Sequence, residues 1–178
     1  MKVEIRRLSG SEAYLFLSDL AAVLADCVEG GASVSFMPPF GQAEAEIFFR
    51  KVIQGVEAGE RILLAAFVDG KLAGTVQVLT SMPPNQPHRG EIAKLLVLRS
   101  ARGQGLAAAL MRRAEECALE AGKTLLVLDT CLGGAAERLY SRLGWVRAGV
   151  IPKYALVPDG SWCDTVIFWK ALGTTLGS

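Results

Sequence analysis

The sequence predicts an α/β fold with a mixed sheet, in which an antiparallel meander feeds one β-α-β crossover and helices cover both faces. Three observations carry this. Two strand-like runs, residues 61–68 and 72–81, are joined by Asp69-Gly70, a dipeptide suited to a tight type I′ hairpin turn. A third run follows at 91–98. A long helical pattern over 103–120 then separates that run from another apolar run at 124–129, the spacing of a single crossover.

Taken in order, residues 3–8 alternate with period two and predict the first strand. Residues 11–28 have helical spacing in Tyr14, Leu17, Leu20, Val23, Leu24 and Cys27, with Ser11 as the expected N-cap and Gly30-Gly31 as the stop. The loop that follows carries Phe36, Met37, Pro38, Pro39 and Phe40, apolar residues that either pack or line a pocket. A second helix is expected over 42–58, ended by Gly59. Prolines make 82–89 a loop between the hairpin and the third meander strand. After the long helix, closed by Gly122, come a buried strand at 124–129 and a helix at 135–143 stopped by Gly144. Strands at 145–151 and 165–171 flank a Pro158-Asp159-Gly160-Ser161 turn. No repeat or linker interrupts this order, so residues 1–178 read as one domain, long enough to bury roughly two thirds of its unfolded surface.

Composition narrows the class. Hydrophobic residues make up 51% of the chain, charged residues 21%, and the net charge is +1. That balance suits a globular protein and not a nucleic-acid binder, which concentrates basic charge. No apolar run is long enough to span a bilayer, and residues 1–7 lack the apolar core of a signal peptide, so a cytoplasmic location is the expectation. Cys27, Cys117, Cys131 and Cys163 are scattered without C-x-x-C spacing and are expected to be reduced. With His88 as the single histidine, neither a metal site nor a Ser-His-Asp mechanism is expected.

The strongest chemical signal begins where the 91–98 strand ends. Arg102, Gly103, Gln104, Gly105, Leu106, Ala107 and Ala108 open an unbroken helix. The first N–H groups of a helix lack intrahelical partners and together carry about half a positive charge. Gly103 and Gly105 remove the side chains that would block approach to them, Ala107 and Ala108 keep the first turn slim, and Arg102 adds a charged flank. Such an end accepts a pyrophosphate. Gly103, Gly105 and Ala108 also satisfy the loose G-x-G-x-x-A dinucleotide pattern, with Asp129 as a mimic of the ribose-binding acid. The wider context opposes that alternative: only one β-α-β unit is predicted, behind an antiparallel meander.

The stretch Arg102-Gly-Gln-Gly105-Leu-Ala107 resembles the R/Q-x-x-G-x-G/A signature of the GCN5-related (GNAT) N-acetyltransferases, and Ala136-Glu-Arg-Leu-Tyr140-Ser-Arg-Leu-Gly144-Trp145 resembles their A-x-x-L-Y-x-x-x-G-F segment. Around Gly30–Met37, Lys94-Leu95, Ser100–Gly103, Leu128–Thr130 and Pro158–Gly160 the chain looks most like the tabtoxin resistance acetyltransferase group. One departure is Gly133, where many members have asparagine. The resemblance implies acetyl-CoA as cosubstrate, with the backbone of Leu95, Leu96 and Val97 alongside the pantetheine arm and Gly103 to Ala108 on the pyrophosphate.

An acetyltransferase of this kind needs a neutral amine, and lysine-type amines have a pKa of about 10.4, so a general base is useful. The leaving thiolate, from a thiol of pKa roughly 8.5, benefits from an acid. Tyr140 is the expected acid, a role the resemblance supports. Glu91 and Asp129 are the candidate bases, Glu91 being expected on the same strand face as Leu95 and Val97 by period two. A strand N–H near Val97 is the expected oxyanion donor. The acceptor pocket is expected from the loops at 31–40, 83–88 and 152–162, with Tyr154 and Trp162 as aromatic walls. Short, nearly neutral loops favour a small-molecule amine over a protein tail, in a monomer or homodimer. Detoxification is the role the subgroup resemblance implies. A non-catalytic acyl-CoA-binding module and a nicotinamide-dinucleotide protein remain as alternatives.

Overall fold

The computed structural model describes residues 1–173. Strand β1 (Val3–Leu8) leads into three helices, α1 (Gly10–Leu15), α2 (Leu17–Glu29) and α3 (Gln42–Glu57). The strands β2 (Arg61–Val68), β3 (Lys71–Leu79) and β4 (Arg89–Val97) follow, then α4 (Leu106–Glu120), β5 (Leu125–Cys131), α5 (Ala135–Arg142), β6 (Val146–Leu156) and β7 (Trp162–Ala171). All seven strands form one sheet in the order β1-β2-β3-β4-β5-β7-β6. Only β4 and β5 run parallel; every other pair is antiparallel. The predicted mixed sheet with one crossover is what the chain forms, and it lacks the repeated parallel units of a dinucleotide fold.

The long apolar run of β2 is explained by its place between β1 and β3, with helices over both faces. Leu63, Ala65 and Phe67 pack with α1, α2 and α3 on one face. Ile62, Leu64 and Ala66 pack with α4 and α5 on the other. A strand covered on both faces reads as continuously apolar, not alternating. The β2–β3 hairpin turns at Asp69 and Gly70, with φ of 48° and 81°, the two positive angles a type I′ turn requires.

The single helix expected at 11–28 is two helices, and its cap is Ser9, not Ser11. The Ser9 hydroxyl accepts from the Glu12 N–H at 3.2 Å, and the Glu12 carboxylate accepts from the Ser9 N–H at 3.0 Å, a capping box. Phe16 leaves helical geometry between the two pieces, and its ring packs edge-on against Phe67 at 5.1 Å. Periodicity continued through the break because both pieces bury the same face.

One irregularity governs the middle of the sheet. Thr75 pairs with Leu96 but Gln77 pairs with Ala93, so Lys94 and Leu95 together stand opposite Val76. Lys94 takes φ of 52° in this bulge. The inserted residue reverses the parity of β4: Ile92, Leu95 and Val97 all pack toward α4, whereas Leu96 packs toward α1–α3. Glu91 therefore does not share a face with Leu95 and Val97, as simple alternation predicted. It points to the α1–α3 side with Val127, its parallel partner on β5, and with Asp129 two residues further along that strand.

Cys131 and Cys163 are joined by a disulfide rather than reduced, across a Cα–Cα distance of 6.0 Å. Their sequence separation of 32 residues hid a proximity that β5–β7 pairing creates. Cys27 and Cys117 are free and buried.

The bulge is backed by Gly74, where an added Cβ would lie 2.9 Å from the Leu96 carbonyl oxygen. Backbone cannot move aside as a side-chain end can. Gly74→Ala is expected to lower stability by about 1–3 kcal/mol. Gly149→Ala on β6, where an added Cβ meets nothing within 4 Å, serves as the control with little change in urea midpoint.

Candidate active site

Strands β4 and β5 pair only over Arg89–Glu91 against Leu125–Val127. Beyond Glu91 the two strands have no further cross-strand partners, leaving the β5-facing edge of β4 open through Leu95, Leu96 and Val97. Those are the three residues expected to run beside a pantetheine arm.

At the end of that edge the chain makes one 3₁₀ turn, Arg99–Ala101, before α4. The turn is fixed from outside. Asp26 on α2 accepts from the Arg99 backbone N–H and from its Nε, both at 2.8 Å, and Glu29 takes the other end of the guanidinium. Leu106, 2% exposed, pins the start of α4 against Ala73 and Ala101. Gly103 and Gly105 each have φ of 78°, in the left-handed region that favours glycine, and nothing lies within 4 Å of a Cβ built on either. Gly105 is the N-cap of α4 and supplies no side-chain cap. The first N–H groups of α4 are thus left without a side-chain partner, beside an open strand edge.

The flanking residues are less uniform. Gln104 is exposed, and Ala107 and Ala108 are half-buried. Arg102 is exposed, but its Nε donates to the Val97 carbonyl at 3.4 Å, bracing the turn against β4. Gly133, the departure from the family pattern, has φ of 79° and donates its N–H to Glu137 at 2.6 Å.

Tyr140 sits on α5, 5% exposed, with its ring 5.9 Å from Phe168 and 6.1 Å from Trp145. Burial first, and the charge of Asp129 second, push its hydroxyl well above the usual phenol pKa. Trp145 is itself anchored: its Nε1 donates to Glu115 at 2.9 Å, and Lys170 holds the other Glu115 oxygen at 2.7 Å. This network ties the end of α5 to α4 and β7.

The two carboxylates differ. Glu91 is engaged by Arg89 Nη1 at 2.5 Å. Asp129 is exposed on β5, and its charge is felt at both Tyr140 and Lys94. Lys94, which sequence reasoning did not assign to the site, occupies the bulge. Its signal was a lone lysine inside the apolar run of β4. Ser35 and Phe36 of the expected acceptor loop lie against it. Phe36 also stacks on Phe40 at 4.5 Å and meets Phe48 edge-on at 5.2 Å, so this loop is packed as well as placed at the site. Tyr154 and Trp162, expected as aromatic walls, are largely solvent-exposed on the β6–β7 hairpin. Among the described residues no group of three or more His, Cys, Asp or Glu is placed to hold a metal ion.

The fold and site define a mixed α/β protein with an uncapped, glycine-opened helix start beside a splayed parallel strand pair. A family model described as the acetyltransferase (GNAT) family matches residues 31–145, and the chain belongs to that family. Among curated proteins, the N-alpha-acetyltransferase MAK3 of Arabidopsis thaliana is 35% identical over 97 residues, which cover 54% of this chain and 50% of that protein. The chain thus spans about half the length of that relative. Among solved structures, an N-acetyltransferase from Staphylococcus aureus aligns with a TM-score of 0.79 at 20% identity, covering 96% of this chain and 99% of its own. A GNAT acetyltransferase from Streptococcus pneumoniae gives 0.77 at 24% identity, covering 96% and 100%. A Salmonella typhimurium structure, described with its cofactor acetyl-CoA, gives 0.78 at 17% identity, covering 98% and 96%. At these identities the likeness shows the shared fold.

Gly105→Ala is expected to strain the left-handed N-cap by about 1–2 kcal/mol. Relief of that strain would re-aim the first α4 amides, so calorimetry should find coenzyme A binding weaker by about tenfold or more.

Proposed function

We propose that the chain is an acetyl-CoA-dependent N-acetyltransferase acting by direct attack of an amine on the bound thioester. The observation that carries this reading is the pairing of two features at one place: amides of α4 with no cap, and a β4 edge with no neighbour. Gly103 to Ala108 would hold the pyrophosphate, and the backbone of Leu95, Leu96 and Val97 would align the pantetheine arm. The residues fit this group, because no Cβ or cap obstructs the helix start. Bound acetyl-CoA supplies an activated acetyl thioester.

The remaining chemistry falls to side chains around the split between β4 and β5. Asp129 is the favoured base, taking a proton from the acceptor ammonium, since Glu91 is already engaged by Arg89. Tyr140, kept protonated by burial, would deliver a proton to the departing sulfur. An amide of β4 near Val97 would polarise the carbonyl. The acceptor is read as a small-molecule amine held under the 31–40 loop. Resemblance to the tabtoxin resistance group supports an amino-acid-like toxin or antibiotic, and hence detoxification. The name of the plant relative favours a second acceptor class, a peptide N-terminal amine. No helix of the described residues is long and apolar enough to cross a membrane.

The test is free-thiol release from acetyl-CoA with a panel of small amines and short peptides. Binding of coenzyme without release under any acceptor would favour a non-catalytic module. Tyr140→Phe is expected to lower kcat by about 10²–10⁴-fold with coenzyme affinity retained; unchanged kcat would remove Tyr140 from the chemistry.

A pH series tests the same residue. The folded Tyr140 hydroxyl keeps its proton beyond the unfolded value of about 10, so as pH rises the unfolded chain ionises first. Its contribution to stability is whole below about pH 10 and declines above it. Tyr140→Phe should flatten that alkaline decline, and no fall in wild-type kcat below about pH 10 should trace to this phenol.

A further inference from the structure

We infer that Lys94 forms an anion subsite in the acceptor pocket, so that the amine acceptor is an amino-acid-type zwitterion whose carboxylate binds the Lys94 ammonium. The inference rests on the acetyltransferase reading for its context, and on the geometry of β4 for its substance.

Lys94 holds φ of 52° in the bulge, a region where L side chains are strained. A bulge needed only to break the ladder is better served by glycine. The side chain reaches across to the α2–α3 loop, where Nζ donates to Ser35 Oγ at 3.0 Å and stands 5.8 Å from the Phe36 ring centre. Ser35 has a positive φ as well, 78°. Two backbone positions off their preferred conformations therefore meet through one hydrogen bond. An ammonium has three donors, and Ser35 uses one.

The charge is half-buried and lacks a counter-ion. Among the described residues no carboxylate lies within 4.0 Å of Lys94 Nζ. Burial lowers its pKa, opposed by the charge of Asp129, which acts from beyond ion-pair distance. Removing a cation from water without a partner is costly, and a ligand anion offsets that cost. Lys94, meeting the α2–α3 loop, and Asp129, alternating on β5 with the α4-facing Leu128, thus put a positive and a negative group on the same side of the sheet with no ion pair between them. That is the complement of a molecule carrying an ammonium and a carboxylate on one carbon. Asp129 would face the reacting amine and Lys94 the carboxylate.

The probes are L-α-amino acids, each matched with its carboxamide and its decarboxylated amine. Thiol release from acetyl-CoA is measured for each, and calorimetry measures their binding to the protein–coenzyme A complex. The wild type is expected to favour free carboxylates in kcat/KM by about tenfold or more. Lys94→Met, which keeps length without charge, should bring that ratio toward one, while Lys94→Arg restores part of it. A melting curve and coenzyme titration on each variant show that the fold and helix start are intact. Equal use of carboxamides, or a carboxylate preference that survives in Lys94→Met, overturns the subsite. Tighter carboxylate binding without thiol release upholds the subsite and overturns the transferase reading instead.

Discussion

The constraint on which the site depends is the early parting of β4 from β5. Three residues of parallel pairing hold the crossover in place, and beyond them backbone groups of β4 face no neighbouring strand. An open edge inside a sheet is costly unless something pairs with it. Here it lies between two covered faces. Asp129, Glu91 and Lys94 come from the α1–α3 side. Tyr140 comes from the α4–α5 side.

The bulge at Lys94 is the local device beside this opening. One extra residue on β4 turns Leu95 and Val97 toward α4 and leaves Lys94 directed at Ser35 in the α2–α3 loop. Gly74 allows the close approach of β3 behind it. At the far end of β4, the ion pairs of Arg99 with Asp26 and Glu29 tie the turn to α2. The α4 amides are consequently held at a fixed height relative to the open edge. On the other side, Glu115 links Trp145 and Lys170, so the segment carrying Tyr140 is braced by α4 and β7 rather than by its own short helix. Rigid backing on both sides suits a site whose reacting groups must be positioned before an acceptor arrives.

The elements themselves were legible because their signals are local. Asp69-Gly70 specifies its turn by the φ angles those residues tolerate, and the glycines at 103 and 105 announce a helix start that carries no cap. The A-x-x-L-Y spacing placed Tyr140 on a helix before Trp145. Errors arose where a local rule met a non-local fact. Helical periodicity ran through Phe16 because both sides of the break bury one face. Ser11 stands where the helical spacing begins, but the cap is Ser9, whose reciprocal partner Glu12 sits three residues on. Cys131 and Cys163 looked independent until two strands paired.

The sequence by itself determined the succession of strands and helices apart from the break at Phe16, the mixed sheet and the glycine-opened start of α4. These follow from side-chain period, glycine φ tolerance and the unpaired amides of any helix end. Tertiary structure alone decided where β5 leaves β4, which face Glu91 takes, and that Lys94 confronts Ser35. Those outcomes depend on one inserted residue and on strand registers across the sheet, and register is a property of pairs of segments that no single segment encodes.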